Sequence, residues 1–304
     1  MKYNQILILY KHYLFQKLNF ILFLVYIFLR IFLKRIKVCL CTIGKRENLY
    51  VREFVEYYKE KGIDTIFIYD NNEKNGEKFD LILKDYIKDN FVKIIDFRGI
   101  QGPQLQSMED CRRKNYKKYD WLIFYDMDEF IFLRNYSNIV DYLSQENFFK
   151  CQRIQLNWFI HTDNNLLYYD NRTLEKRFPQ KDKKWIGVKK GGIDGIKSIL
   201  KGNIDIEIDN VHYLNSKLIS CDGFGKIKEV QGIITNESDH YYYYIDHYWS
   251  KSTEEFIDKL LKGDVVLGNI SFPYNGKIDI YFAINELTLE KINYHNYKDR
   301  KSVV

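Results

Sequence analysis

The segment Trp121–Phe130, WLIFYDMDEF, constrains this chain more than any other. An apolar run, Trp121 to Tyr125, stops abruptly at three acids: Asp126, Asp128 and Glu129, with Met127 between the first two. A short apolar and aromatic run of this kind predicts a buried strand. Acids at its carboxyl end then sit where parallel α/β sheets place their ligands. Two carboxylates spaced i, i+2 at such a tip are able to hold a hard divalent cation together with phosphate oxygens. Taken alone, the same residues describe a solvated turn after a core strand.

The rest of the composition narrows the choice. The chain has 304 residues, enough for one large domain with additions, and its 46% hydrophobic and 17% aromatic content is ample for a packed core. The net charge of +6 comes from Lys and Arg scattered among acids. It forms no basic stripe of the kind that marks a nucleic-acid surface, so no nucleic-acid partner is expected. The five cysteines (Cys39, Cys41, Cys111, Cys151 and Cys221) are odd in number and irregularly spaced, with no Cys-x-x-Cys. Neither a zinc knuckle nor a disulfide framework is predicted, and a reducing, cytosolic setting is the simplest expectation.

Residues 5–33 are very apolar, and Leu18–Leu29 carries no charge. As a helix that uncharged part spans only about 18 Å, against about 30 Å of bilayer core. Lys11 and Lys17 precede it, and Arg30, Lys34, Arg35 and Lys37 follow. No small-residue cleavage site follows, which argues against a removable signal. The stretch 1–35 therefore predicts a membrane-associated helix on anionic lipid, at the cytoplasmic face, peripheral or single-pass. A helix packed on the domain is the alternative.

From residue 36 the pattern is β-α-β-α-β-α-β. Ile36–Ile43, Thr65–Tyr69, Phe91–Ile95 and Trp121–Tyr125 read as strands. Between them, Val51, Phe54, Val55 and Tyr58, and then Phe79, Ile82, Leu83 and Tyr86, fall at i, i+3, i+4, i+7 as helical stripes. A third helix is predicted from about Gln104 to Lys118. Short links of this kind predict a mostly parallel sheet with right-handed crossovers and helices on both faces. No glycine cradle for phosphates follows the first strand, so a nucleotide site here must use strand tips. Asp70 ends the second strand. Farther on, Ser137 is read as a helix cap, Cys151–Ile160 as a strand, 161–195 as a loop-rich region, Ile204–Tyr213 as an alternating strand, and Tyr241–Tyr244 as strand-like. Ser252 and Glu255 form a capping box, and Tyr281–Tyr294 a final helix.

At this point the residues resemble a known group. VCLCTIGKREN and its helix at 38–64, IYDNN at 68–72, Gln104 ahead of Asp110-Cys111, YDWLIFYDMDEF at 119–130 and HYWSKSTEEFIDK at 247–259 occur in the order found in GT-A-fold glycosyltransferases, of family-2-like and family-92-like kind. The resemblance implies a GT-A domain over 36–265, with 266–304 as an extension packed on it. It implies transfer of a sugar from a nucleotide-diphosphate donor, a UDP-sugar by preference, to a glycan or lipid-linked acceptor, with Mn²⁺ or Mg²⁺. Surface polysaccharide or lipopolysaccharide synthesis is the implied setting. Thr42, Asp70, Gln104, Asp126 and Lys251 would contact the donor. Asp126 and Asp128 would form the Asp-x-Asp motif, with Asp128 the more direct metal ligand. His247 would complete the metal shell, with His212 as competitor.

An inverting reaction needs a general base for the acceptor hydroxyl. Glu129, Asp163, Asp170 and Asp194 are the candidates, and Glu129 is equally a structural partner at the strand tip. Two other classes compete: a nucleotidyltransferase built on the same carboxylates, and a non-catalytic sugar-nucleotide-binding module. After the acidic motif the chain reads Asn157-Trp158-Phe159-Ile160-His161-Thr162, with no Gly where such enzymes often carry Trp-x-x-Phe-Gly, so the acceptor side is not carried over.

Overall fold

The computed structural model describes residues 15–23, 35–100, 102–182, 195–228, 239–261, 281 and 285. The chain divides into two compact units, Met1–Ile36 and Lys37–Val304. In the first, residues 15–23 form a helix, and Phe15, Leu18, Phe20, Ile21, Leu22 and Phe23 are all exposed. The remainder of the expected membrane-associated stretch lies outside the described residues. Among the described residues no helix is long and apolar enough to cross a membrane.

The second unit is a mixed α/β fold. Its strands are β1 (Val38–Gly44), β2 (Thr65–Asp70), β3 (Val92–Asp96), β4 (Trp121–Phe124), β5 (Glu129–Leu133), β6 (Arg153–Ile160), β7 (Ile196–Lys201), β8 (Ser220–Cys221), β9 (Ile227–Lys228) and β10 (Tyr243–His247). The main path runs β3-β2-β1-β4-β7-β6-β10-β5. The wing β3-β2-β1-β4 is wholly parallel, as the alternation of strand and helix requires. β1, β2 and β4 are buried along their whole length, which is why they read as continuous apolar runs rather than alternating ones. The helix Val51–Glu60 buries Val51, Phe54, Val55 and Tyr58, the stripe its spacing predicts.

Beyond β4 the sheet is mixed, antiparallel at β4–β7, β7–β6 and β10–β5 but parallel at β6–β10, and here the structure departs from expectation. β5 follows β4 across the short turn that holds the acids, and pairs with β10 instead of β4. β7, which begins just past the loop-rich region 161–195 and was not expected, is a central strand between β4 and β6. Ile204–Tyr213 is not a strand. Its alternation reports one buried face: Ile204, Ile206, Ile208 and Val211 pack on the cluster that includes Met108 and Cys111. Its polar groups turn to the helix Pro103–Asn115, where Ile208 N–H donates to Glu109 and Asp205 pairs with Arg112. Tyr241 and Tyr242 close a short helix, Asp239–Tyr242, and only Tyr243 and Tyr244 belong to β10. Asn138 rather than Ser137 caps the helix Ile139–Leu143, accepting from the Asp141 N–H. The Ser252–Glu255 capping box forms as expected, at the start of the helix Thr253–Leu261. The final helix expected over 281–294 falls almost wholly outside the described residues.

Cys151 and Cys221 form a disulfide, with Cα atoms 5.7 Å apart. Their spacing gave no sign of this. β8 pairs in parallel with β6, setting Cys221 opposite Ile154 and so close to Cys151. Cys39, Cys41 and Cys111 are free and buried.

Candidate active site

The carboxyl ends of β1 and β4 converge on the acidic turn. Asp126 and Asp128 stand on opposite sides of it and have different partners. Gln104, in the first turn of the helix Pro103–Asn115, donates from Nε2 to Asp126 Oδ1 at 2.8 Å. Lys197, on β7, donates to Asp126 Oδ2 at 2.8 Å. The ammonium of Lys197 is fully enclosed and lies 3.7 Å from Glu129 Oε1 as well. Burial works against its charge, but Asp126 and Glu129 outweigh that and raise its pKa. Thr42, Gln104, Asp126 and Lys197 line one small pocket, and the Thr42 hydroxyl in its wall has no hydrogen-bond partner among the described residues.

Asp128 is nearly enclosed. His247 Nε2 lies 3.5 Å from its Oδ1, and Lys259 Nζ 2.9 Å from its Oδ2. The Asp128 carbonyl also accepts the Tyr248 N–H at 2.9 Å, which fixes β10 against the turn. Burial opposes the carboxylate charge, yet Lys259 and His247 hold its pKa well below the usual range. Burial also lowers the His247 pKa, so its imidazole is neutral at neutral pH. It is His247, not His212, that meets Asp128. His212 turns its Nδ1 to the Ile196 carbonyl at 3.2 Å. The Trp158 ring separates the histidines, 4.4 Å from His247 and 5.3 Å from His212 between ring centres.

The other candidates have different surroundings. The Asp70 carboxylate is taken by Arg98, through Nε at 3.0 Å and Nη2, and by the Asn72 N–H at 3.0 Å. Glu129 is fully buried and accepts the Asp126 N–H at 3.0 Å, the internal strut that was its structural alternative. Asp163 is buried, accepting from the Tyr281 hydroxyl and the Asn165 N–H. Asp170 is clamped by Arg172. Asp194 lies outside the described residues. Lys251, at a left-handed φ of 52°, pairs with Glu47 at 3.1 Å and lies over the Tyr50 ring.

Among the described residues, no group of three or more His, Cys, Asp or Glu side chains is arranged to hold a metal ion. Of the expected three ligands, Asp128 and His247 come together, while Asp126 is drawn to Gln104 and Lys197. Two site residues escaped the sequence reading. Lys197 is the one charge in the run Ile196–Leu200, and a lone cation in a buried strand demands an acid partner. Lys259 lies about two turns into the helix Thr253–Leu261, for which the capping box was read but no role for this lysine.

The family model for glycosyltransferase family 92 matches residues 34–184. A glycosyltransferase family 92 protein of Oryza sativa subsp. japonica is 28% identical over 113 residues, covering 33% of this chain and 18% of that protein. One of Ricinus communis is 24% identical over 111 residues, covering 36% and 20%. The matches thus span about a fifth of the length of these relatives. Among solved structures, S. aureus TarS 1–349 in complex with UDP-GlcNAc is similar at a TM-score of 0.39 and 12% identity, over 88% of this chain and 79% of that one. TarS 1–349 alone gives the same TM-score at 8% identity.

Proposed function

We propose that this chain is a glycosyltransferase that moves a sugar from a nucleotide-diphosphate sugar to an acceptor hydroxyl. The observation that carries the reading is the pairing of Asp128, which lies within the region that the family 92 model matches, with His247, which lies well outside it, at the tip of a parallel α/β wing. A leaving nucleoside diphosphate gathers negative charge on phosphate oxygens. The site answers with fixed cations, Lys259 beside Asp128 and Lys197 beside Asp126, and preorganised charge of this kind is usually the largest catalytic term. Gln104 and Lys197 hold the Asp126 carboxylate in one orientation, beside the Thr42 hydroxyl, where a donor nucleoside would bind.

Asp128 and His247 would also hold a divalent cation, with oxygens of the donor completing its shell. The donor set fits: an ionised carboxylate suits Mn²⁺ and Mg²⁺ alike, and a neutral imidazole nitrogen tips the pair toward the transition ion. When bound, such an ion supplies Lewis-acid stabilisation of the diphosphate.

The acceptor we propose is a glycan or lipid-linked glycan at a membrane surface, as in surface polysaccharide or lipopolysaccharide synthesis. The exposed apolar side chains of residues 15–23, with Lys11 before them, Lys17 among them and Arg30 to Lys37 after, suit an anionic lipid interface. The Cys151–Cys221 disulfide favours the oxidising side of that membrane over the cytoplasmic side that the sequence led us to expect.

A panel of nucleotide sugars, each with and without Mn²⁺, tests the reading by thermal shift and by release of nucleoside diphosphate. Mn²⁺-dependent stabilisation and turnover by one donor class is expected. Binding without turnover would favour the binding-module alternative, and no binding by any member would reject the reading.

A further inference from the structure

Lys259 stands between a buried acid and an open cleft. Its Nζ donates to Asp128 Oδ2 at 2.9 Å and to the Trp249 carbonyl at 3.2 Å. An ammonium has three N–H donors, so these contacts leave one to reach elsewhere. The side chain is 26% exposed, and Asp128 only 12%. On its open side lies a cleft lined by the cations Arg46 and Lys251, the acids Glu47, Glu255 and Asp258, and Ser250. Ser250 is fully buried in that wall, and its hydroxyl has no hydrogen-bond partner among the described residues. Lys251 is already engaged with Glu47 and stacked over Tyr50. Of the two lysines, Lys259 is the one shared between the site acid and the cleft.

Resting on the glycosyltransferase reading above, we propose that Lys259 is an exchangeable counter-ion for Asp128. In the ligand-free protein it neutralises the carboxylate and covers Oδ2. A donor diphosphate in the cleft offers the ammonium a second anion, and the flexible four-carbon stem of lysine lets it turn there. Asp128 Oδ2 is then uncovered for a divalent cation. No bond is made or broken in this exchange. Its consequence is coupling: cation and diphosphate each bind more tightly when the other is present, because each removes the other's competitor. A carboxylate this enclosed always keeps one cation, first the ammonium and then the metal, and is never left buried and unpaired.

The test is Mn²⁺ binding to the full chain, followed by loss of the free-ion EPR signal, with and without UDP. The wild type is expected to bind Mn²⁺ weakly alone and about tenfold more tightly with UDP, within the usual range of coupling. Lys259→Met is expected to bind Mn²⁺ alone about tenfold more tightly than wild type, with the effect of UDP much reduced. Lys259→Arg, which keeps the charge, is expected to keep the coupling. If Lys259→Met proves unfolded by circular dichroism, Lys259→Gln puts the same question with a donor retained for Trp249. Mn²⁺ affinity unchanged or weakened in a folded, uncharged variant overturns the counter-ion role. If that happens while the wild type still binds UDP and Mn²⁺ together, the glycosyltransferase reading survives. If the wild type binds neither, both fail.

Discussion

His247 Nε2 stands 3.5 Å from Asp128 Oδ1 because β10 runs antiparallel beside β5, with His247 directly opposite Glu129. The residue before Glu129 therefore meets the imidazole. A strand pair formed late in the sequence thus brings a C-terminal histidine back to the acidic turn. Tyr248 N–H, bonded to the Asp128 carbonyl, locks the same register.

Asp70 and Arg98 form an ion pair whose acid is 2% exposed and whose base is 17% exposed. Removing one partner leaves an enclosed charge, so Arg98→Ala is expected to lower stability by about 3 kcal/mol. Urea unfolding followed by circular dichroism measures this. A loss below about 0.5 kcal/mol would rank the pair with solvent-screened surface pairs and leave Asp70 available to a donor.

Burial and the nearby Lys197 hold His212 down at about 4, against about 6.5 in an unfolded chain. Between those values the unfolded chain binds a proton that the native protein does not. Stability from this group is therefore fully present above about 6.5 and is lost as pH falls through about 4. The contribution is on the order of 3 kcal/mol. Unfolding profiles between those pH values should rise more steeply for wild type than for His212→Asn. Parallel profiles would show that His212 does not titrate differently in the two states.

The Cys151–Cys221 bond spans a sequence separation of 70 residues. Closing a loop of that size in the unfolded chain stabilises a domain by about 4 kcal/mol. Replacing both cysteines by serine should lower the melting temperature and leave the folded secondary structure unchanged. Alkylation under denaturing, non-reducing conditions should label Cys39, Cys41 and Cys111 alone. Labelling of all five would remove the argument for an oxidising compartment.

The parallel wing was legible because its signals are local. β1, β2 and β4 are apolar runs ended by Gly44, Asp70 and Asp126, and the helix Val51–Glu60 shows its stripe within a few turns. The Ser252–Glu255 box was legible for the same reason. The stripe expected from Phe79 to Tyr86 is instead split between Phe79–Ile82 and Lys84–Lys88, the second of which buries none of its residues. The mixed half was less legible: the run Cys151–Ile160 predicted β6, but β5 and β7 were missed. Phe130–Leu133 follows the acids with no Gly or Pro to announce a new strand, so β5 was absorbed into the turn. Ile204–Tyr213 alternates as a strand does, but a side face of the helix Pro103–Asn115 satisfies the same pattern. Asp126 and Asp128 were found as a pair, yet their different partners depend on Lys197 and Lys259, which reach them across the sheet and from a distant helix. Contacts of that kind leave no spacing to read.

Asp128 carries the central claim, and one comparison tests it most directly: release of nucleoside diphosphate from an active nucleotide sugar in Mn²⁺, by wild type and by Asp128→Asn. Asparagine keeps the size and removes the charge that faces His247 and Lys259. The account predicts a fall of at least about 10²-fold in kcat/KM, with an unaltered circular dichroism spectrum. Turnover close to the wild-type value in the folded variant would contradict it.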